Sequence, residues 1–291
     1  MAAISTLQLT LQKIGYKKFL FSNLPYFESY DFAESIFGTE NVVEYKNYNG
    51  KDVDVLWICS ASPNFMSVNY KKVKAKAMVM DTSCIDCSSQ YIVDIVNYCN
   101  EKNMPLFLVR SHMKLDCFGL EINRLGSLVC ANDNDNVYEK CKLMEIYLGN
   151  NTTIKNIYPW LGEEEFFKLT TKDIDKTKKI VDSASSMCNK LLDKNRYQVN
   201  KFDNNIYFVI KLKHNVPNLD KLNRDITIHC QKLGLPILTV ASFYLEKVGL
   251  DNFARRLDDN SQFLRISPSF HISKKTTTEI VRTIAEYLNN M

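Results

Sequence analysis

Three short polar segments, each next to an apolar run, carry the residue types that could do chemistry in this sequence. Asp81 ends one apolar run, and Ser111 and Lys114 follow a later run at 106–109. Arg124 comes shortly before a further apolar run. These residues offer a carboxylate for a cationic group, a hydroxyl and a guanidinium for a phosphate, and an amine that can form an imine.

The elements that must position these residues alternate along the first half of the chain. Apolar runs without in-out alternation, separated by helical patterns, are typical of a mostly parallel sheet with helices on both faces. Ligands bind beyond the carboxyl ends of such strands, so we expect the polar segments to meet at one edge. The predicted strands are Phe19–Phe21, Asp54–Cys59, Ala77–Asp81, Leu106–Val109 and Ser127–Ala131. The predicted helices are Ile4–Ile14, Tyr30–Phe37, Ser88–Asn103 and Val137–Leu148.

The pattern changes after a stretch at Gly149–Gly162 that contains Asn, Gly and Pro residues. A long helical pattern from Thr171 to Leu192 follows, and then a unit in which strands and helices are mixed less regularly. Its predicted elements are the strands Ile206–Leu212, Ile237–Ser242 and Phe263–Ser267 and the helices Leu219–Leu233 and Thr276–Leu288. The fold class predicted is therefore α/β, with a large domain at 1–150 and a smaller α+β domain at 151–291.

Composition argues against several classes of protein. The chain has 291 residues, 45% hydrophobic and 24% charged, with a net charge of +4, and its basic residues are scattered among acidic ones. This disfavours a nucleic-acid binder. The sequence shows neither a membrane-spanning apolar run nor a signal peptide, which predicts a cytoplasmic protein without a membrane partner.

The cysteines predict free thiols in a reducing compartment. Their number, nine, is odd, their spacing is irregular, and most lie inside apolar segments. Cys84 and Cys87 have the spacing of metal ligands, but there is no second pair and no convincing histidine. We therefore expect no metal site.

In their order and strand context, the polar residues resemble the motifs of the fold-type I pyridoxal 5′-phosphate (PLP) enzymes, the aminotransferase superfamily. The resemblance implies that Lys114 forms the internal aldimine with PLP. It also implies that Asp81 pairs with the protonated pyridine nitrogen and keeps the ring electron-withdrawing. Ser111 and Arg124 would then bind the cofactor phosphate.

The resemblance extends beyond these motifs. Pro25–Tyr30 resembles the segment whose aromatic ring stacks on the cofactor, a role that falls to Phe27, with Tyr26 as the alternative. Cys59–Asn64 lies where the family has a strand followed by an Asn-Pro-rich loop, in which an asparagine hydrogen-bonds the phenolic oxygen of PLP, and Asn64 is the nearest match. Arg265 resembles the arginine that binds the substrate α-carboxylate, and a structural Asp or Glu partner is the alternative interpretation.

The sequence departs from the family pattern in two places. Cys84 stands where the family commonly has a tyrosine, three residues after Asp81. The chain also begins directly in its first helix, without the family's Gly-containing phosphate loop. The resemblance then leaves the phosphate to the first helical turn, at Ala2 and Ala3, whose backbone N–H groups and helix dipole suit an anion. The interpretation is an N-terminally shortened member.

The function predicted is that of a PLP-dependent enzyme acting on an amino acid or related amine, with transamination favoured. A PLP-dependent lyase or decarboxylase is the nearest alternative. The other is a non-catalytic or split-enzyme subunit that needs a partner chain. The resemblance implies a homodimer or hetero-oligomer that completes the active site. A general nucleotide-binding protein is disfavoured because no Gly-x-Gly-x-x-Gly or P-loop pattern follows the first strand.

Overall fold

The computed structural model describes residues 1–117, 125–133, 135–149, 164–240, 246–252 and 262–291. As far as they are described, these residues form two compact units. One comprises Met1–Met113 and Ile122–Leu169, and the other Lys114–Glu121 and Thr170–Met291. The domain limits at 1–150 and 151–291 stay a prediction, because most of the predicted linker lies outside the described residues.

The first unit contains a sheet and four helices among its described residues. The strands are β1 (Phe19–Phe21), β2 (Val42–Glu44), β3 (Val53–Cys59), β4 (Ala75–Asp81), β5 (Leu106–Ser111) and β6 (Gly126–Ala131). The helices are α1 (Ala2–Lys13), α2 (Phe27–Phe37), α3 (Gln90–Glu101) and α4 (Val137–Tyr147). The strand order is β2-β1-β3-β4-β5-β6. Strands β1 to β5 are parallel, and β6 is antiparallel to β5.

Both faces of this sheet are buried under helices. Phe21 and Trp57 belong to a buried cluster with residues of α1, α2 and α4, whereas Leu56 and Met80 belong to a second cluster with residues of α3. Full burial of a large apolar side chain contributes roughly 1.5–3 kcal/mol, so the two layers are the main source of this unit's stability. Burial on both faces also explains why the strands read as continuous apolar runs, and it confirms the predicted mostly parallel α/β sheet.

The last two residues of β5 were not predicted as strand. The apolar run ends at Val109, but Arg110 pairs with Ser127 and Ser111 pairs with Gly126 across the antiparallel β5–β6 ladder. Backbone pairing with β6 therefore extends β5 through two polar residues. This carries the Ser111 side chain to the end of the strand.

The second unit is a smaller α+β arrangement, as predicted. Its strands are β7 (Tyr197–Lys201), β8 (Phe208–Leu212), β9 (Ile237–Thr239), β10 (Val248–Asn252) and β11 (Gln262–Ser267). Its helices are most of α5 (Glu164–Leu191), then α6 (Leu219–Lys232) and α7 (Lys274–Asn289). The described strands follow the order β7-β8-β11-β10-β9. Asn218 and Ser273 cap α6 and α7 by accepting hydrogen bonds from backbone N–H groups.

Among the described helices, none combines the length and the apolar character that crossing a membrane requires.

Candidate functional site

The carboxyl ends of the parallel strands meet at one edge of the first sheet. Cys59 at the end of β3 is in register with Asp81 at the end of β4, and Asp81 is in register with Val109 of β5. Ser111 ends β5 two residues further on, opposite Gly126. Asp81 and Ser111 therefore lie at the edge where open parallel sheets bind ligands.

Asp81 is a buried carboxylate, only 4% exposed. Its Oδ1 accepts a hydrogen bond from the Ser83 N–H at 2.9 Å, and the Cys59 Sγ lies 3.9 Å from its Oδ2. Burial raises the pKa of Asp81 above its usual value, while the hydrogen bonds from Ser83 and the positive charge of Arg110 act in the opposite direction. A carboxylate that is costly to ionise in this way suits a cationic ligand group.

The Cys59 thiol beside Asp81 stays protonated. Burial, and then the charge of Asp81, raise its pKa well above the usual value for a thiol. Cys59 therefore lines the site as a small neutral group and does not supply a nucleophile.

The turn that follows Asp81 is held from the β5 side by Arg110. This arginine is 9% exposed, and its Nη1 donates to the carbonyl oxygens of Thr82 and Ile85, the latter at 2.9 Å. A buried guanidinium that binds two carbonyl oxygens fixes the turn rigidly. Sequence reasoning missed Arg110, because the available signal was only a charged residue directly after an apolar run.

Serine side chains hold the edge from the β1 and β3 side. The Ser60 Oγ accepts from the Cys84 N–H at 2.9 Å, and the Ser22 Oγ accepts from the Cys59 N–H at 3.0 Å. The Ser22 Oγ also lies 2.8 Å from the Ser62 Oγ. Short hydroxyl side chains thus satisfy backbone donors that lie beyond the sheet ladder. None of these serines was assigned a role from the sequence.

Helix α1 reaches the same edge through a close contact at Gly126. A Cβ atom at this position would lie 3.3 Å from the carbonyl oxygen of Arg110 and 3.4 Å from the Cβ of Ala3. Glycine leaves the space that lets the first turn of α1 approach the β5–β6 pair. Because Ser111 pairs with Gly126, the start of α1 is brought towards the end of β5.

The start of α1 carries backbone donors that can bind an anion. The first hydrogen bond within the helix runs from the Ser5 N–H to the Met1 carbonyl oxygen, at 2.9 Å. The N–H groups of Ala2 and Ala3 come before it and point out of the helix end. Backbone N–H groups at a helix start, and a serine hydroxyl such as that of Ser111, are donors suited to a phosphate. Phosphate binding by these three residues stays a prediction.

Lys114 lies in the turn after β5 and is half-buried. It is the first residue of the second unit in the chain. His112, two residues earlier, is 6% exposed, and its Nε2 lies 2.8 Å from the Ser127 Oγ. This contact gives His112 a structural role in holding the turn. The role of Lys114 as the cofactor-binding lysine stays a prediction.

Phe27 and Asn64, the two residues predicted to contact the PLP ring and its phenolic oxygen, lie after β1 and β3. Phe27 begins α2 half-buried, with its ring centroid 5.2 Å from that of Tyr26. The Tyr26 N–H donates to the Cys59 Sγ at 3.4 Å, which ties this segment to the end of β3. Asn64 is exposed, and its carbonyl oxygen accepts from the Ser67 N–H at 3.1 Å in a 3₁₀ turn. The cofactor roles of Phe27 and Asn64 stay predictions.

Arg265 lies on β11 of the second unit and has a structural partner. Its Nη2 donates to the Asp251 Oδ2 at 3.0 Å, and Asp251 is the residue directly opposite on β10. The guanidinium also lies 5.3 Å from the ring centroid of Tyr207. The ion pair compensates the charge of Arg265, which would otherwise be buried on an apolar strand without a counter-charge. Binding of a substrate carboxylate by Arg265 stays a prediction.

We expect Asp251→Ala to lower the free energy of unfolding by about 3 kcal/mol, because it leaves the Arg265 charge buried without its carboxylate. The side chains of this pair are only 10% and 16% exposed. The matched control is Asp175→Ala, which breaks an ion pair with Lys178 whose side chains are 57% and 34% exposed. That change should cost less than about 1 kcal/mol. Urea unfolding measures both, and equal losses would contradict the structural role of the buried pair.

Two further expectations concern Arg124 and metal ions. Arg124, the predicted second phosphate contact, lies outside the described residues. Across the part of the chain that is described, no three or more His, Cys, Asp and Glu side chains come together as a metal-binding group.

Solved structures match this chain over nearly its whole length, although no family model and no curated protein matches the sequence. MetB from Corynebacterium glutamicum has a TM-score of 0.64 at 11% identity, over 99% of this chain and 80% of its own. Histidinol-phosphate aminotransferase from Clostridium acetobutylicum has a TM-score of 0.59 at 18% identity, over 100% and 82%. The α-aminoadipate aminotransferase from Thermus thermophilus, complexed with N-(5′-phosphopyridoxyl)-L-leucine, has a TM-score of 0.62 at 11% identity, over 99% and 76%.

The described chain forms two α/β units, the first with a mostly parallel sheet, and these solved structures match it over nearly its whole length. The protein has the fold of the fold-type I PLP-dependent enzymes, as the sequence resemblance implied. At these identities the likeness shows the fold, and one such fold serves several chemistries. Function must therefore be argued from the residues of the edge.

Proposed function

We propose that this chain binds PLP at the carboxyl edge of the first sheet and is a PLP-dependent enzyme acting on an amino acid or related amine, with transamination as its reaction. The observation that carries the proposal is the buried Asp81 carboxylate at the end of β4, in register with Cys59 and next to the strand that ends at Ser111. The phosphopyridoxyl group bound by one structural neighbour supports it.

The residues of the edge fit the chemical groups of PLP. A protonated ring nitrogen is the cationic partner that the buried Asp81 needs, and binding it would offset the cost of ionising the carboxylate. The phosphate suits the Ser111 hydroxyl and the N–H groups of Ala2 and Ala3. Lys114 supplies the amine for the aldehyde.

Chain length supports the placement of Lys114. It follows Ser111 by three residues, and three residues of chain span at most about 10 Å. In the proposed function its ε-amine attaches the cofactor and later takes and returns the proton of the substrate α-carbon as a general acid/base. PLP, when bound, withdraws electrons from that carbon. Asp81 keeps the ring nitrogen protonated throughout.

The outer contacts belong to the same proposal. Arg124 would add a second phosphate contact, Phe27 would stack on the ring, and Asn64 would donate to the phenolic oxygen. Arg265 would bind the substrate carboxylate. Since Asp251 already accepts from the Arg265 Nη2, the substrate carboxylate would accept from other N–H groups of the same planar guanidinium. A second chain, identical or different, would complete the site.

Borohydride reduction followed by peptide mass spectrometry tests the central claim. The protein is incubated with PLP, reduced, digested and sequenced. We expect a pyridoxyl group on the peptide that contains Lys114. A pyridoxyl group on another lysine would overturn the assignment of Lys114. A protein that takes up no PLP, alone or with the proteins it associates with, would overturn PLP binding and favour the non-catalytic alternative.

The reaction type is tested separately with a panel of amino acids. Each is incubated with the PLP-loaded protein and a 2-oxo acid, and the products are separated by chromatography. Transfer of the amino group to the 2-oxo acid is the expected result. Release of CO2 or of a side-chain fragment would instead assign the protein to the decarboxylases or lyases.

A further inference from the structure

We propose that Ser83 is a positioning residue of the cofactor site, which joins the partner of the ring nitrogen, Asp81, to the phosphate-binding end of β5 at Ser111. This inference rests on the proposed function and deepens it. Ser83 would touch neither the substrate nor the reacting atoms. It would act through the two residues that it connects.

The geometry makes Ser83 a link between two strand ends. Its N–H donates to the Asp81 Oδ1 at 2.9 Å, and its Oγ accepts from the Ser111 N–H at 2.8 Å. Ser83 therefore donates its backbone N–H towards β4 and accepts through its side-chain oxygen from β5. The last register pair of the two strands is Asp81 with Val109, so this link extends their contact beyond the ladder.

The link has a physical consequence for each partner. The Ser83 hydroxyl acts to lower the pKa of Asp81, so its loss would raise this pKa further. The Ser111 N–H would lose its acceptor, so the last residue of β5 would lose its contact with the turn after β4, while the contacts of Val109 and Arg110 with that turn remain. One side chain thus affects both the charge of Asp81 and the position of Ser111.

Other charged and titratable groups also face Asp81. The Cys59 thiol approaches from β3, the Arg110 guanidinium from β5, and the amino group of Met1 from the start of α1. These groups remain in place when Ser83 is changed. A change in the titration of Asp81 in a Ser83 variant would therefore report the loss of the Ser83 hydroxyl.

The chain contains a matched control for this motif five residues further on. The N–H and the Oγ of Ser88 both donate to the Asp86 Oδ1, each at 2.9 Å. Asp86 is 5% exposed, so its carboxylate is about as buried as that of Asp81. Ser88→Ala removes a serine hydroxyl at the same spacing from a buried aspartate, and among the described contacts Ser88 has none with Ser111.

The first measurement uses the apoprotein and needs no cofactor. Asp81 is followed by 13C NMR of its carboxyl carbon, with Asp81→Asn to assign the signal. We expect Ser83→Ala to raise the pKa of Asp81 and to speed the hydrogen exchange of the Ser111 amide. Ser83→Thr, which keeps the hydroxyl, should restore both, and Ser88→Ala should change neither.

The second measurement is the equilibrium dissociation constant for PLP across a range of pH. We expect Ser83→Ala to weaken binding by up to about tenfold, the effect of losing the hydrogen bond from the Ser111 N–H. Ser83→Cys, a weaker donor of similar size, should behave like Ser83→Ala and replaces it if that variant does not fold.

The two proposals fail in different ways. If the wild-type protein takes up no PLP, the proposed function fails, whereas the apoprotein titration still tests whether Ser83 links Asp81 and Ser111. If the wild type binds PLP but Ser83→Ala or Ser83→Cys leaves the titration, the Ser111 exchange and the affinity unchanged, the role of Ser83 is overturned.

Discussion

Lys114→Ala should abolish the visible absorption band of lysine-bound PLP and lower the turnover of amino acids by at least about 10³-fold. The change removes both the amine that holds the cofactor and the general acid/base that moves the α-proton, and the second role alone is worth about 10²–10⁴-fold. Absorption spectra of the purified variant, with stopped product assays, measure both effects.

Two further variants make this result specific. Lys114→Arg keeps the positive charge but cannot form an imine, so it should lose the band as Lys114→Ala does. Lys102→Ala changes an exposed lysine at the end of α3 and should retain both the band and the turnover. If the band survives in Lys114→Ala, another lysine holds the cofactor and the proposed site is wrong.

Asp81→Asn should weaken the binding of PLP by about tenfold to a hundredfold. An amide cannot neutralise a protonated ring nitrogen, and hydrogen bonds to charged groups are worth about 1.5–3 kcal/mol. Equilibrium titration of the apoprotein with PLP measures the change. Asp86→Asn is the control, because Asp86 is also buried and also binds a serine two residues later. Equal losses in the two variants would show that the effect is structural.

Asp81→Asn weakens PLP binding, but it should stabilise the folded apoprotein relative to the wild type as pH rises. Burial raises the pKa of Asp81 in the folded state, whereas the unfolded value is about 3.9. Stability associated with the neutral carboxyl group is therefore present below the unfolded pKa and is lost as pH rises through the folded pKa. Asp81→Asn does not titrate, so its stability relative to the wild type should increase with pH and then level off. Urea unfolding from about pH 4 upwards, where the unfolded carboxyl group begins to ionise, tests the direction.

Most elements of the fold could be predicted because their apolar runs are long or continuous. The structure has β1 at the predicted residues, and β3 and β4 begin only one or two residues earlier than expected. Three strands, β2, β7 and β10, were not predicted. Tyr197–Lys201 alternates apolar and polar residues over only a short length, and Val248–Asn252 contains a glycine and two polar residues. Cross-strand pairing decides their conformation, and the local sequence does not reveal it.

The site was predictable only in part, for a related reason. Asp81 and Ser111 follow apolar runs, so their place at the edge of the sheet could be inferred from topology. Arg110 of β5 binds the turn after β4, and Ser83 in that turn accepts from the last residue of β5; such contacts depend on where adjacent strands end relative to each other. The Arg265–Asp251 pair likewise required the β10–β11 register, which could not be predicted while β10 was missed.

The double-sided pairing of β5, with β4 on one side and β6 on the other, has a kinetic consequence for the proposed function. Lys114 follows the end of this strand by three residues, so its amine acts as an intramolecular reagent. Its effective concentration is in the millimolar range or far above it. A free alkylamine supplied to Lys114→Ala would have to match that local concentration. Chemical rescue should therefore rise with amine concentration without saturating at low millimolar levels.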